Sequence, residues 1–435
     1  MSAVLYKRLL DREMKYFSSE WFLQNPFLRN IGILTGGTLF AQIIVVMAIP
    51  LLTRLYTPED FSLLAVYASL LSIVSVVACL RYNIAIPLPA SDVEGFELLM
   101  ISLAFAAIVG LLIALPIVLA QQALAALIGR PEMASFLWML PIGVFLAASY
   151  DAMQHWALRM RRYWSVTLTR ISRASGSMGV QVGIGVTTPS PFGLVFGHML
   201  LGGLGFFGLG LDLLRKDKAM FRQFSFKRSV ERAIAYYRFP VFSVPEALMN
   251  TMSAELPIIL IAAMTVGPEA GFVMLAMRVI GLPMALIGSS VSQAYLAESR
   301  HKLIDGTLVS FTRSTMRTLL VTGAIPILTT GIISPLLFPI VFGEQWTRSG
   351  HLVAWMVPWF FLQFIASPVS MVLHVLEKQK WAAYLQAAGL IIRISAVWTA
   401  GLHFPEWIGE AFAVSGALFY GIYIWVILTL MRRGS

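Results

Sequence analysis

Seven arginines lie inside long apolar segments of this 435-residue sequence. A charge in such a segment is costly, so it normally faces water, a partner group or the interior of a helix bundle. None of these basic residues is a lysine, and arginine differs from lysine because its planar guanidinium can hold a phosphate through two hydrogen bonds. Arginine also outnumbers lysine 24 to 8 in the whole chain, so the preference alone is a weak sign of anion binding. The seven are Arg81, Arg170, Arg173, Arg278, Arg313, Arg317 and Arg393.

Two of these arginines share a polar stripe on one predicted helix. Arg170, Arg173, Ser177 and Gln181 follow one another at spacings of three, four and four residues, and Thr167 continues the series. Residues at such spacings lie on one face of an α-helix. The stripe therefore predicts a helix that lines water or a polar cavity, with Ser177 and Gln181 as lining residues. Ion pairing to a neighbouring helix is the alternative.

The other arginines differ in their depth within the segments. Arg278 begins a looser polar stripe and is a second candidate for a cavity. Arg81, Arg313 and Arg317 lie near segment ends, where a long side chain can extend to the membrane interface. Arg393 lies deeper, but no polar stripe surrounds it. The sequence thus favours Arg278 for a polar cavity and leaves interfacial anchoring open for Arg81.

Three carboxylates accompany the arginines in the apolar segments. Asp151 has His155 one helical turn further on, whereas Glu246 and Glu255 are nine residues apart and therefore on opposite faces of one helix. Asn250 shares the face of Glu246 and is expected to line a cavity. Two interpretations stay open for the carboxylates, namely pairing with an arginine or binding of a coupling ion or proton.

The composition excludes a soluble globular domain. Apolar residues make up 58% of the chain and charged residues only 12%, against roughly 25% charged in average soluble domains. The mean hydropathy of +0.78 also excludes a disordered chain. The single cysteine, Cys79, excludes a disulfide framework, and no phosphate-binding loop, metal-ligand pair or nucleophile elbow is recognisable. We therefore expect no cofactor, no metal and no catalytic residue.

Twelve segments are long and apolar enough to cross a membrane as helices. Strict alternation of the β-barrel kind is absent, because runs such as IVVMAIPLL (44–52) are apolar at every position. The predicted fold class is therefore an all-α integral membrane protein with twelve transmembrane helices. The predicted spans are 30–52, 62–88, 97–120, 136–158, 165–187, 192–214, 241–265, 272–296, 312–335, 350–374, 381–400 and 408–431.

Lysine and arginine in the loops predict the orientation, because cytoplasmic loops carry an excess of both. With the N-terminus in the cytoplasm, 22 of them lie on the cytoplasmic side and three on the other. One missed or invented span would scramble this asymmetry, so it supports both the span count and cytoplasmic termini. The net charge of +10 is then a topology signal, and we expect no nucleic acid partner.

A basic loop at about 215–240 divides the chain into two sets of six spans. TPEDFSLLAVYASL (57–70) and GPEAGFVMLAMRVI (267–280) stand at an offset of 210 residues and at matched points of the two halves. Proline and glutamate are common in turns, so chance is the alternative to an ancestral duplication. Parallel repeats of this kind place a central cavity between two six-helix lobes. We predict lobes at 30–225 and 226–435, after a cytoplasmic segment at 1–29 whose residues 5–23 fit either an interfacial helix or a frayed tail.

Three segments in this order resemble one family. LLTRLYTPEDFSLLAVYASLLSI (51–73) with LRYNIAIPLPASDVEG (80–95) is similar to the start of bacterial polysaccharide biosynthesis proteins of the Wzx-like O-antigen flippase type. YYRFPVFSVPEALMNTMSAELPIILIAAMTVGPEAGFVMLAMRVIGLPMALIGSSVSQAYL (236–296) resembles the opening of their second half, and FGEQWTRSG (342–350) resembles a later loop. Two residues depart from the family pattern: Asn83 stands where an acidic residue is expected, and Glu255 where a neutral polar one is usual.

The resemblance implies the multidrug/oligosaccharidyl-lipid/polysaccharide exporter fold. It implies a flippase, not an enzyme, that moves undecaprenyl-diphosphate-linked O-antigen or exopolysaccharide repeat units to the periplasmic leaflet of the bacterial inner membrane. The cavity arginines would bind the diphosphate, namely Arg170, Arg173, Arg278 and Arg81. Asp151, Glu255 and Glu246 are the candidates for ion coupling. The expected partners are the lipid-linked glycan, membrane lipids and the polysaccharide polymerase and chain-length proteins.

Two other functions are compatible with a twelve-helix chain. A cation-coupled drug antiporter of the same fold would favour acidic groups in its cavity, whereas this sequence has seven intramembrane arginines against three clear acidic residues. A membrane glycan polymerase or ligase would need a sizeable external loop with catalytic residues. All the predicted external loops are short, so both functions are less favoured than a flippase.

Overall fold

The computed structural model describes residues 26–265, 267–370, 372–375 and 378–432. Most of these residues belong to twelve long helices, and each predicted span corresponds to one of them. The predicted all-α fold is therefore confirmed. The helices are α1 Pro26–Leu55, α2 Pro58–Ala78, α3 Asp92–Leu127, α4 Met139–Arg159, α5 Tyr163–Thr187, α6 Pro191–Lys216, α7 Val244–Met264, α8 Glu269–Ile304, α9 Leu308–Phe342, α10 Thr347–Val369, α11 Gln379–His403 and α12 Ile408–Arg432.

Most of these helices are apolar enough to cross a membrane. Nine candidate spans meet this criterion among the described residues, and the pair Pro131–Leu137 and Met139–Arg159, bent by 53°, provides a tenth. Within the same residues α5 and α8 fall outside this set, and both carry arginines away from their ends. The chain is a multi-pass membrane protein.

The second predicted span extends too far. α2 ends at Ala78, Leu80 and Arg81 then adopt positive φ angles of 48° and 62°, and a short helix follows at Tyr82–Ala85. Such angles are uncommon for residues other than glycine. Since no glycine or proline marks this point, the hydropathy pattern gave no sign of the turn. Arg81 therefore lies in a turn and not within a span.

The two sets of six helices pack in the same way. In the first set α1 packs on α5, α2 on α4, α3 on α4, α4 on α6 and α5 on α6. Each of these pairings recurs six helices later, as α7 on α11, α8 on α10, α9 on α10, α10 on α12 and α11 on α12. Pro58 and Pro268 also stand at equivalent points, where the second helix of each lobe begins. This repeated packing is what a duplicated six-helix unit would produce.

The lobes meet where α2 of the first lobe packs against α7 and α8 of the second. We call one end of the bundle the short-loop end; it contains the connections 56–57, 128–138, 267–268, 343–346 and 404–407. At this end Arg130 donates hydrogen bonds across the lobes to three backbone carbonyls, those of Ala262 at 2.6 Å, Thr265 at 3.1 Å and Gly267 at 2.7 Å. These carbonyls lie at the C-terminus of α7 and just beyond it, where helix geometry leaves them without partners and a cation is favoured.

Aromatic packing and close backbone contact complete this closure. Trp346 donates from Nε1 to the carbonyl of Thr53 at 2.9 Å, and its ring lies edge-on to that of Phe61 at 4.9 Å. A Cβ atom added to Gly271 of α8 would lie 2.2 Å from the carbonyl oxygen of Pro58. The two lobes are thus closed against each other at the short-loop end.

The opposite, basic end carries an additional amphipathic helix at Phe226–Ala235. Arg228 and Arg232 of this helix bind Glu97 and Glu94 of α3, each at 2.8 Å. The helix lies just after the predicted lobe boundary at 225/226, yet it packs on the first lobe. That boundary stays a prediction, and the predicted interfacial helix at 5–23 lies outside the described residues.

Candidate substrate-binding cavities

A cavity of about 690 Å³, here called the N-lobe cavity, lies among α1, α4, α5 and α6. Arg170 and Arg173 of α5 line it, and Arg278 reaches it from α8 of the other lobe. Among the described residues that line it, Asp151 of α4 is the single carboxylate. The structure thus brings together three of the four arginines predicted for anion binding, and these three come from both lobes.

Neutral groups hold the two α5 arginines in place. Arg170 donates from Nη1 to the hydroxyl of Thr38 and from Nε to the side-chain oxygen of Gln154 at 3.2 Å. The guanidinium of Arg173 lies over the ring of Tyr150, 4.6 Å from its centroid. Within the described part of the chain no carboxylate lies within ion-pair distance of Arg170, Arg173 or Arg278. With three arginines against the carboxylate of Asp151, the cavity carries an excess of positive charge, which favours an anionic ligand.

The outer part of the α5 stripe does not line this cavity. The hydroxyl of Ser177 donates to the carbonyl of Gly197 on α6 at 2.6 Å, and Gln181 donates to Ser177 at 3.1 Å. Both side chains are buried. α6 covers them because it is rich in glycine: a Cβ on Gly197 would lie 2.3 Å from Cγ of Gln181. The prediction that Ser177 and Gln181 line the cavity is corrected, since the glycines of α6 allow the two helices to approach closely here.

This packing makes Ser177 a test of the structure. In a Cys79→Ser background, Ser177→Cys should resist a small water-soluble thiol reagent, because the side chain is enclosed between α5 and α6. Gln42→Cys, on α1 and in the lining of the N-lobe cavity, is the matched control and should react at least tenfold faster. Equal labelling rates would show that the stripe opens to water.

Asp151 lines the N-lobe cavity, whereas Arg81 does not. Asp151 accepts a short hydrogen bond from the side-chain amide of Asn83, and its carboxylate lies 3.6 Å from His155. The residue that departs from the family pattern is therefore its partner. Arg81 is not among the residues that line the N-lobe cavity, and its Nε is buried without a hydrogen-bond partner among the described residues. Arg81 therefore does not join the other three arginines in the lining of this cavity.

A second cavity of about 560 Å³, here called the C-lobe cavity, lies between α2 and helices of the second lobe. Glu255 and Asn250 of α7 line it, and Glu255 accepts a hydrogen bond at 2.8 Å from Ser69 of α2. Glu246, by contrast, is exposed in the first turn of α7 and lines neither cavity. The placement of Glu246 differs from that predicted, because its position near the helix end puts it outside both cavities.

Arg393 lines a cavity, although the sequence pattern did not favour it for one. It lines the C-lobe cavity with 4% of its surface exposed, and its guanidinium lies 4.4 Å from the ring centroid of Trp359. Phe412 and Phe419 of α12 also flank it, at 5.9 and 5.6 Å. No stripe on α11 marks this residue because its partners come from α10 and α12. A cluster of aromatic residues on those helices was the available signal.

Arg313 and Arg317 occupy the positions that the sequence favoured for them. Both are exposed near the start of α9, which begins at Leu308 next to the basic end. Such positions allow a long side chain to extend to the membrane interface. Neither residue lines the two cavities.

Solved structures of membrane transporters share the fold of this chain. The lipid II flippase MurJ, in an inward closed conformation, aligns with a TM-score of 0.67 at 12% identity over 90% of this chain and 86% of its own. An inward-facing multidrug resistance MATE family transporter of the MOP superfamily gives 0.59 at 12% identity over 92% and 96%. A MOP superfamily transporter from Pyrococcus furiosus gives 0.57 at 11% identity over 93% and 96%. At these identities the likeness establishes the fold alone.

The sequence itself matches one family. No curated protein gives a significant match. The family model described as polysaccharide biosynthesis protein matches residues 51–351, which is more than half of the chain. The chain therefore belongs to the polysaccharide biosynthesis protein family.

Proposed function

We propose that this protein is a flippase for undecaprenyl-diphosphate-linked oligosaccharide, the repeat unit of an O-antigen or exopolysaccharide. The observation that carries the proposal is the N-lobe cavity, where three arginines face one space without a carboxylate partner among the described residues. The family and the fold of the MOP transporters support it. The substrate would move from the cytoplasmic to the periplasmic leaflet of the bacterial inner membrane.

The arginines would replace the water that a diphosphate loses on entering the cavity. Each charge-assisted hydrogen bond contributes roughly 1.5–3 kcal/mol in favourable settings. The glycan would occupy the polar space between the lobes, and the polyprenyl tail would stay in lipid. Because Arg278 belongs to the second lobe and Arg170 and Arg173 to the first, a bound diphosphate would bridge the lobes. A ligand that bridges them binds one conformation better than the other and so shifts the population.

The asymmetry of the loops supports an orientation for the two ends of the bundle. The loops at the basic end hold most of the lysines and arginines, so this end is proposed to be cytoplasmic, together with both termini. The short-loop end would then be periplasmic, and it is closed by the contacts of Arg130, Trp346 and Gly271. Alternating access would open these contacts and close the basic end.

Two carboxylates are proposed for ion coupling. Glu255 lies in the C-lobe cavity and Asp151 in the N-lobe cavity. Intramembrane carboxylates of this kind serve proton or cation relays in transporters. The exposed Glu246 is not retained in this role. The polymerase and chain-length proteins that act on the exported glycan are the proposed partners.

Deletion of the gene in its own host tests the proposal. Surface polysaccharide should be lost and lipid-linked repeat units should accumulate in the inner leaflet, because synthesis continues while translocation stops. Radiolabelled sugar in the lipid fraction measures the accumulation, and complementation with the wild-type gene should reverse it. Normal surface polysaccharide with no accumulation would contradict the proposed function.

A further inference from the structure

The C-lobe cavity contains two buried hydrogen-bond donors that have no partner within the described ranges. They are Nε of Arg393 and Nε1 of Trp359, and both residues line the cavity. Leaving a buried donor unpaired lowers stability, and the cost is larger for a charged group. Most buried donors in proteins are therefore paired. Two unpaired donors on neighbouring side chains point to an acceptor that binds between these helices.

Uncharged groups hold the guanidinium of Arg393 in place, so its positive charge is kept. It stacks on Trp359, and its Nη1 donates to the carbonyl of Ser253 at 3.3 Å. Glu255 shares the cavity, but it accepts from Ser69 of α2 and forms no ion pair with Arg393. Arg393 thus keeps one donor, Nε, without a protein acceptor among the described residues, and a guanidinium can hold a carboxylate with two parallel hydrogen bonds.

The remaining polar lining suits a carbohydrate. The amides of Asn250, Gln363 and Gln386 and the hydroxyl of Ser367 each have both a donor and an acceptor, as the hydroxyls of a sugar do. The volume of about 560 Å³ is within the roughly 300–1,000 Å³ of small-molecule sites. The cavity thus combines one buried cation with groups that pair with hydroxyls.

We propose that the C-lobe cavity is a sugar subsite in which Arg393 binds the carboxylate of an acidic sugar, such as a uronic acid. The proposal rests on the proposed function, since it assigns part of the glycan to this lobe and leaves the diphosphate to the N-lobe cavity. Substrates with an acidic sugar near the lipid anchor would be selected over neutral ones of the same size.

Protection of a cysteine from modification tests this subsite in the full chain. The protein, purified into lipid nanodiscs, carries Cys79→Ser and a reporter at Asn250→Cys, which lines the cavity. The rate of reaction with a small thiol reagent is measured with a uronic-acid disaccharide, with a neutral disaccharide of equal size, or with neither. We expect the acidic disaccharide to slow the reaction at least fivefold at saturation and the neutral one to slow it less than twofold.

Substitutions of arginine identify the group responsible. Arg393→Gln should remove the difference between the two disaccharides, and Arg393→Lys should keep part of it because the charge remains. Arg313→Gln, which changes an exposed arginine on α9, is the control and should behave as the parent. Size-exclusion profiles and thermal unfolding verify that each variant is folded. If Arg393→Gln proves unfolded, Arg393→Lys decides. The difference in protection between the two disaccharides should then shrink, and an unchanged difference would count against Arg393. Equal protection by both disaccharides, no protection, or protection that persists without the arginine would overturn the subsite.

A second ligand separates failure of the subsite from failure of the proposed function. Geranylgeranyl diphosphate carries an isoprenoid and a diphosphate but no sugar, and it should protect Gln42→Cys in the N-lobe cavity. Protection of Gln42→Cys by geranylgeranyl diphosphate, together with no protection of Asn250→Cys by the acidic disaccharide, would overturn the sugar subsite alone. Absence of protection at Gln42→Cys would count against diphosphate binding and hence against the proposed function.

Discussion

Replacing Arg170 and Arg173 together with alanine, or Arg278 alone, should abolish glycan export while the protein stays in the membrane. Loss of two charge-assisted hydrogen bonds at roughly 1.5–3 kcal/mol each weakens diphosphate binding by about 10²- to 10⁴-fold. Arg→Lys at the same positions should restore only part of the export, because an ammonium keeps the charge but loses the planar fork. Surface polysaccharide in a complemented deletion strain is the measurement, with membrane protein quantified by immunoblot.

Arg313→Ala is the matched control for these variants. Arg313 is exposed near the start of α9 and lines neither cavity, so its loss should leave export within about twofold of the wild type. Full export by the Arg278 variant and by the Arg170/Arg173 double variant would refute the diphosphate site. Disappearance of the proteins from the membrane would instead assign the arginines a structural role.

Gly271→Val should prevent closure of the short-loop end. The added Cβ would lie 2.2 Å from the carbonyl oxygen of Pro58 and 2.8 Å from the backbone nitrogen of Ser62, and neither backbone atom can move without displacing α2. The lobes must therefore separate at this end, and export should fall more than tenfold. A cysteine at Ser62, buried at this contact, should become reactive to an impermeant thiol reagent in a Cys79→Ser background.

Gly421→Val provides the control for that experiment. Apart from the backbone of α12 itself, no atom of the described residues lies within 4 Å of a Cβ added to Gly421 of this helix, so the variant carries the same helix-propensity cost without the clash. It should export normally and leave Ser62→Cys protected. If Gly271→Val exports normally and Ser62→Cys stays unreactive, the closed contact between α2 and α8 is not part of the transport cycle.

The twelve helices were predictable because membrane crossing imposes a long apolar segment on each of them. The grouping of Arg170 and Arg173 was also predictable, since two residues three apart on one helix share a face. That Arg278 reaches the same cavity depends on α8 lying beside the first lobe. This placement is a long-range contact, and no local pattern encodes it.

Other features could not be predicted because they also depend on long-range contacts. Arg130 lies in a loop at the short-loop end, and its role could not be predicted because its partners are backbone carbonyls at the end of α7, which no side-chain pattern marks. Ser177 belonged to a convincing stripe, yet the glycines of α6 determine what covers it. Arg393 had no stripe because three other side chains, from α10 and α12, form its surroundings. Helical periodicity identifies a polar face but not the element that packs against it.

Translocation by the purified protein in sealed vesicles is a direct test of the proposed flippase activity. A fluorescent short-chain isoprenoid diphosphate that carries an oligosaccharide is placed in both leaflets, and an impermeant quencher added outside reports how fast the inner pool reaches the surface. We expect rapid loss of the protected fraction with the wild-type protein and none above empty vesicles with the Arg170→Ala, Arg173→Ala double variant. A wild-type rate equal to that of empty vesicles would contradict the proposed flippase activity. An unaltered rate in the double variant would contradict the proposed role of the two arginines.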